Sequence, residues 1–267
     1  MKRLAAMACA AAFLWTGPAP GFMKDGCGEG RCSDCHTLSR KEAQTILGRL
    51  VDRVLDVRES RVPGLWELDV EKRKKKLPVF LDYSKRFLIT GDVIDLSTMR
   101  SLTKERYIDL NRIDPSIIPL DDAVVVGDPE APVRVIVFDD PECPFCRKLH
   151  PEMKKIVAQH PDVAFFIKML PLKIHPNARK KAQAIICSKS EAMLAASLQG
   201  KPVPEPDCET DQIEKNEALA RKIGVRSTPT LIFPDGRVVP GYKPAERILE
   251  YLGRGSKKTA GKGKSGG

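Results

Sequence analysis

Cys143-Pro144-Phe145-Cys146 constrains this chain more than any other stretch. The residues before it, Val133-Arg134-Val135-Ile136-Val137-Phe138, form an apolar, β-branched run of the kind that makes a buried strand. After it, Leu149, Met153, Ile156 and Val157 recur at helical spacing as far as about His160. A C-x-x-C at a strand-to-helix junction sets its first sulfur at the helix N-terminus. Unpaired N–H groups and the positive end of the dipole there favour thiolate over thiol. The second sulfur, one turn further in, can close a disulfide with the first. The pattern points to a redox dithiol. An inert bridge or half of a zinc site would have no need of that junction, or of the Thr228-Pro229 downstream.

A chain of 267 residues is long enough for two domains, and its ordinary apolar and charged fractions exclude general disorder. The formal charge is +10, but Lys2, Arg3, Lys257, Lys258, Lys262 and Lys264 lie in the terminal segments. Removing those six cations leaves +4 on the body, a weak case for a polyanionic partner, and no nucleic-acid ligand is expected. Met1-Lys2-Arg3 and the apolar run Leu4 to Trp15 have the form of a secretory signal, assigned here to residues 1–22. The run is too short to span a bilayer. Export to an oxidising compartment follows. Of eight cysteines, Cys9 would leave with the signal. Seven remain, so at least one thiol stands outside any intrachain disulfide.

Residues 23–60 are expected to hold a Cys-rich segment and an amphipathic helix. Cys32-Ser33-Asp34-Cys35-His36 matches C-x-x-C-H, the attachment pattern for haem c, in which two thioethers tether the porphyrin and the imidazole ligates iron. A small disulfide knot with Cys27 competes with that reading. Zinc competes less well, because the adjacent Cys35 and His36 make a poor pair of ligands for one tetrahedral ion. Ser39-Arg40-Lys41-Glu42 has the form of a capping box, and Ala43, Ile46, Leu47, Leu50, Val51, Val54 and Leu55 trace one helical face. Residues 61–98 read as a small antiparallel sheet, with period-two alternation in Leu65–Val70 and Val79–Tyr83 around the charge run Glu71 to Lys76. Within 99–116, Thr103 to Arg112 reads as a linker helix ended by Asp114-Pro115. Residues 117–254 give strand, C-x-x-C helix, strand, helical insertion, two strands about Pro234-Asp235-Gly236, and a last helix. The apolar-poor tail 255–267 is expected to be disordered.

With these residues in view, the chain resembles thioredoxin-fold proteins, and more narrowly the periplasmic disulfide isomerases of the DsbC/DsbG group. Cys143 to His150 resembles the active-site helix of that group, and Arg226-Ser227-Thr228-Pro229-Thr230 resembles its cis-proline segment. Residues 64–96 resemble its N-terminal dimerisation domain. The resemblance implies an α/β fold in which a thioredoxin-like C-terminal domain with an inserted helical segment follows a small α+β dimerisation domain. It implies Cys143 and Cys146 as the catalytic, redox-active pair, Thr228 and Pro229 as the substrate-facing loop, and Cys187 with Cys208 as a structural disulfide. It further implies a homodimer that acts on wrongly disulfide-bonded exported proteins and draws electrons from a membrane thiol reductase. Thiol exchange of this kind requires no cofactor, and no metal-ligand set is assigned.

Two departures matter. Pro144-Phe145 is nearer to oxidase-like dipeptides than to Gly-Tyr. Val137 stands where thioredoxins carry a buried acid, six residues before the first cysteine, so the proton acceptor for Cys146 is unassigned. Asp139, Asp140 and Glu142 precede Cys143 and, as anions, would raise its pKa against the pull of the helix terminus. His150, one turn beyond Cys146, reads as a packing or surface residue rather than a proton shuttle. A dithiol oxidase and a haem-linked electron carrier are the rival functions. Protein produced in a host with cytochrome c maturation decides the second: covalent haem adds its mass to the fragment carrying Cys32 and Cys35, and an unmodified fragment rejects it.

Overall fold

The structure, a computed structural model, describes residues 36–254. The signal segment, Cys27, Cys32, Cys35 and the basic tail lie outside the described residues. The chain divides into two compact units, residues 36–72 with 79–90, and residues 73–78 with 91–254. Among the described residues no helix is long and apolar enough to cross a membrane.

In the first unit, helix α1 (Arg40–Leu47) starts where Ser39 caps it, its hydroxyl accepting from the Glu42 N–H at 3.1 Å. Glu42 does not complete the box but pairs with Lys85 at 2.5 Å. The helical stripe expected to run to Leu55 stops early. Gly48 takes φ +50° and ψ −120°, a conformation outside the helix, and a 3-10 turn spans Gly48–Leu50. Val54 and Leu55 belong instead to strand β1 (Arg53–Glu59), so the antiparallel sheet begins before residue 61. It continues through β2 (Leu65–Lys72), β3 (Lys75–Asp82) and the short edge strand β4 (Leu88–Ile89), in the order β1-β2-β3-β4. Helix α1 buries Ala43 and Leu47, and the Gln44 side-chain oxygen Oε1 accepts from the Val54 N–H at 2.7 Å. On the sheet, Arg58 grips the buried Asp69 with two bonds of 2.8 Å and Glu67 with one of 2.7 Å. That pairing offsets the cost of burying the Asp69 carboxylate.

The second unit opens with a two-stranded ribbon, β5 (Ile94–Asp95) and β6 (Arg100–Ser101), followed by α2 (Leu102–Leu110), which is capped by Ser101. Its main sheet is built from β7 (Val124–Val126), β8 (Val133–Asp139), β9 (Val163–Met169), β10 (Thr230–Ile232) and β11 (Val238–Pro240), in the order β11-β10-β8-β9-β7. Only β8 and β9 run parallel, joined across helix α3 (Pro144–Gln159). Strand β8 is buried on both faces, which explains its unbroken apolar run. Val135 and Val137 pack with residues of α3, α4 (Ala178–Ser188), α5 (Glu191–Leu198) and α7 (Ala245–Tyr251). Ile136 and Phe138 pack on the other face with Ala220 of α6 (Gln212–Ile223). The turn before β11 is fixed by close approach: a Cβ on Gly236, at φ +84°, would meet the Ile113 carbonyl oxygen at 2.0 Å.

Cys187, at the end of α4, and Cys208, in the loop before α6, are joined as a disulfide across 21 residues of sequence. Closing a loop of that length restricts the unfolded chain by about 3 kcal/mol. Replacing both cysteines by serine is therefore expected to lower unfolding stability by about 3 kcal/mol in denaturant titrations of the oxidised protein.

Candidate active site

Strand β8 ends at Asp139, and residues 140–142 turn the chain into α3. The turn is closed by backbone: the Cys143 N–H donates to the Asp140 carbonyl at 3.0 Å, and the Leu170 N–H, just past β9, donates to the Asp139 carbonyl at 2.7 Å. Cys143 is the N-cap residue of α3, and Pro144 occupies the first helical position, where a missing N–H costs nothing. Cys146 lies inside the first turn. Both are free thiols, Cys143 4 % exposed and Cys146 fully buried.

Their environments pull the two sulfurs apart. The Cys143 pKa falls to about 5, first through the hydrogen bond from the Cys146 thiol, with burial opposing. The backbone N–H of Cys146, the Thr228 side chain and the Phe145 N–H act in the same direction as the first. Burial, followed by its hydrogen bond to Cys143 and the charge of Asp139, pushes Cys146 well above the ordinary thiol range. One sulfur is therefore a thiolate at neutral pH and its partner holds a proton.

None of the neighbouring acids is among the main influences on Cys143, where hydrogen bonds to the sulfur prevail. The buried Asp140 carboxylate accepts from the N–H of Glu142 at 2.8 Å and of Leu172 at 2.7 Å, and His175 Nδ1 lies 2.8 Å from it. Glu142 pairs with Lys181 at 2.6 Å and accepts from the Asn177 N–H at 3.1 Å. Asp139 is fully buried, and that burial pushes its carboxyl up to about 7. Two anions are thus neutralised by local partners and the third is readily protonated.

Thr228 and Pro229 come to the dithiol as expected: the peptide between them is cis, and the Thr228 carbonyl oxygen lies 3.4 Å from Cys143 Sγ. His150 is buried, with Nε2 3.4 Å from Glu191 on α5, and burial lowers its pKa. Phe145 is 54 % exposed at the mouth of the site. His36 is in the first unit, its ring 4.9 Å from that of Tyr83, while Cys32 and Cys35 lie outside the described residues. Asp139 and His175 are the neighbours that sequence reasoning misplaced or missed. Asp139 could have been found by parity, since it lies two residues past Val137 on the same strand face. For His175, 35 residues from Asp140, no local signal exists.

Because the thiolate is the nucleophile, alkylation within the reduced Cys143–Cys146 pair should fall on Cys143. Its rate is expected to be half-maximal near pH 5, falling as the pH drops below that and the sulfur takes a proton, with Cys146 unlabelled. Mass-mapped iodoacetamide labelling checks this. A midpoint near the ordinary thiol value of about 8.5 would contradict the thiolate-favouring geometry.

Residues 121–256 match the family described as Thioredoxin-like domain. The probable thiol:disulfide interchange protein DsbC of Bordetella avium is 30% identical over 177 residues, covering 66% of this chain and 62% of that protein. The chain thus spans a little over three-fifths of that relative's length. DsbC of Escherichia coli K12 is 30% identical over 188 residues, covering 66% of this chain and 73% of its own. Among solved structures, a disulfide interchange protein from Neisseria gonorrhoeae aligns with 52% of this chain and 100% of its own, at 30% identity and a TM-score of 0.44. With a dithiol of this geometry inside the matched region, the chain belongs to the DsbC family of thiol:disulfide interchange proteins.

Proposed function

We propose that this protein is a thiol:disulfide interchange enzyme that reshuffles or reduces wrong disulfides in exported proteins. The observation that carries the reading is the split of the dithiol into an N-capping thiolate, Cys143, and a buried thiol, Cys146, beside the Thr228-Pro229 loop. The Cys143 thiolate attacks one sulfur of a substrate disulfide. A Cys143–substrate bond forms, the substrate S–S bond breaks, and the electron pair leaves on the second substrate sulfur. That freed thiolate can attack another disulfide of its own chain and eventually displace Cys143, which is isomerisation with no net electron transfer. Otherwise Cys146 displaces the substrate, leaving Cys143–Cys146 oxidised and the substrate reduced by two electrons. A thiol reductase in the membrane is the electron donor in this scheme, and the periplasm is its compartment.

A homodimer fits the reading. Strand β4 is the edge of the first unit's sheet, and it and its approach expose Ile89 and Phe87. An unpaired apolar edge of this kind invites pairing with a second copy. The rival reading, a dithiol oxidase, draws on the low Cys143 pKa, since a stabilised thiolate favours the reduced form and makes the disulfide a better oxidant.

Refolding of scrambled ribonuclease by the reduced protein separates the two. Activity should return with the wild type and be lost in Cys143→Ala, while a wild type that restores no activity sinks the isomerase reading. Trapping the thiols in the native compartment gives the direction independently: a mostly reduced Cys143–Cys146 pair is expected, and a mostly oxidised pair assigns the oxidase.

A further inference from the structure

The small net charge of the body conceals an uneven distribution. A cleft of about 670 Å³ is lined by the end of α2, the loop from α6 to β10, strand β11 and part of the Arg73–Pro78 hairpin, all within the second unit. Six cations line it, Lys74, Lys75, Lys76, Arg112, Lys222 and Arg226, and no acidic side chain does. Arg112 bonds Asp109 and Asp235. The other five have no carboxylate partner among the described residues. Between them the lining is apolar, with Ile108, Ile223 and Val238.

Two details set these cations in place. The turn between β2 and β3 is Arg73-Lys74, with φ of +50° and +63°. Asn-Gly is the usual sequence for such a turn, so two long cations there are a local cost. The Asn111 amide, at the end of α2, donates to the Lys76 carbonyl at 2.9 Å and ties the hairpin to the helix. On the other wall, the Thr230 hydroxyl donates to the Ser227 carbonyl at 2.6 Å and holds the loop that carries Arg226 against β10. Ser227 also lines the cleft, and the next carbonyl, that of Thr228, lies 3.4 Å from Cys143 Sγ. The cleft therefore begins one residue from the nucleophile's neighbour.

We propose that this cleft takes an acidic, extended segment of the substrate polypeptide next to the cysteine that Cys143 attacks, a specificity that rests on the interchange reading above. A chain bonded to Cys143 and passing over Thr228 meets Arg226 and Lys222 first, with the hairpin lysines opposite. Carboxylates on that segment face cations that lack partners, and its apolar side chains face Ile108, Ile223 and Val238. The cations are exposed side chains spread over an open cleft, which suits successive charges along a chain better than one discrete anion. Exposed charges of this kind act mainly on the rate of encounter, and salt screens them.

The test uses the reduced full-length protein and three peptides that differ only beside a single cysteine, with four Glu, four Lys or four Ser on either side of it. Each cysteine carries thionitrobenzoate in disulfide linkage. Cys143 bonds to the peptide sulfur, the old disulfide breaks, and the coloured thionitrobenzoate leaves with its electron pair. The wild type should react with the Glu peptide about ten-fold faster than with the Ser peptide at low salt, and slowest with the Lys peptide. In about 1 M salt, where the screening length is about 3 Å, the three rates should converge. The Glu-to-Ser ratio within one variant is the readout, because a folding or chemical defect slows both peptides alike. Lys222→Glu with Arg226→Glu should bring that ratio below one. Lys41→Glu with Lys201→Glu changes the net charge equally away from the cleft and should leave the ratio as it is. A wild type with no preference for the Glu peptide overturns the proposal, as does an equal loss of preference in both double variants. Competition by an oligonucleotide as strong as that by a free Glu peptide assigns the cleft to polyanions at large and overturns it too. A wild type that releases no thionitrobenzoate from the Ser peptide at any salt overturns the interchange reading itself.

Discussion

The site depends on one competition, between the cost of burying a charged sulfur and the donors that the start of α3 supplies to it. Cys143, at the cap, is reached by the Cys146 thiol, by two backbone N–H groups and by the Thr228 side chain, and together these outweigh its burial. Cys146, three residues on, is inside the turn, and burial dominates. Identical side chains acquire opposite protonation states from a displacement of less than one helical turn. Keeping that displacement fixed is the work of the sheet. Strand β8 is clamped between β9 and β10, and the turn leaving it is pinned by the Cys143–Asp140 and Leu170–Asp139 backbone bonds.

The acids around the dithiol follow the same logic. Three carboxylates within four residues of a thiolate would oppose it if all were ionised and unpaired. Asp140 and Glu142 are instead turned into fasteners, tying Leu172, His175, Asn177 and Lys181 to the turn. The segment between β9 and α4 is thereby held beside the nucleophile by charge-assisted bonds, which are roughly twice as strong as neutral ones. Among the described residues Asp139 has no such partner, and burial rather than pairing governs its charge.

Local pattern made much of this legible, and its limits are instructive. The run Val133–Phe138, the C-x-x-C spacing and the helical stripe to Ile156 located strand, turn and helix, because both faces of β8 and one face of α3 are buried. The stripe from Ala43 to Leu55 misled, since apolar residues at i, i+3 and i+4 also occur where a helix hands over to a strand. The backbone of Gly48 decided the boundary, and spacing alone cannot weigh it. The number of acids before Cys143 was plain in the sequence, but their effect was not. Apart from the Glu142 N–H, the partners of Asp140 and Glu142 lie 32 to 39 residues away in the chain, so the sign of their influence exists only once the fold brings them together.

The contacts that lower the Cys143 pKa also bear on the direction of the chemistry. They act on the thiolate and have nothing to hold once Cys143 is bonded to Cys146, so they favour the reduced pair over the disulfide. An isomerase needs that state at rest, because its first step is attack by a free thiolate. An oxidase must be loaded against it by an outside oxidant. The same donors therefore make the resting nucleophile easy to keep and its disulfide eager to react. Which of these the cell uses depends on how fast Cys146 can close the pair. Within the protein, that rate turns on how readily Cys146 gives up its proton, and burial, with its hydrogen bond to Cys143 and the charge of Asp139, holds that proton in place.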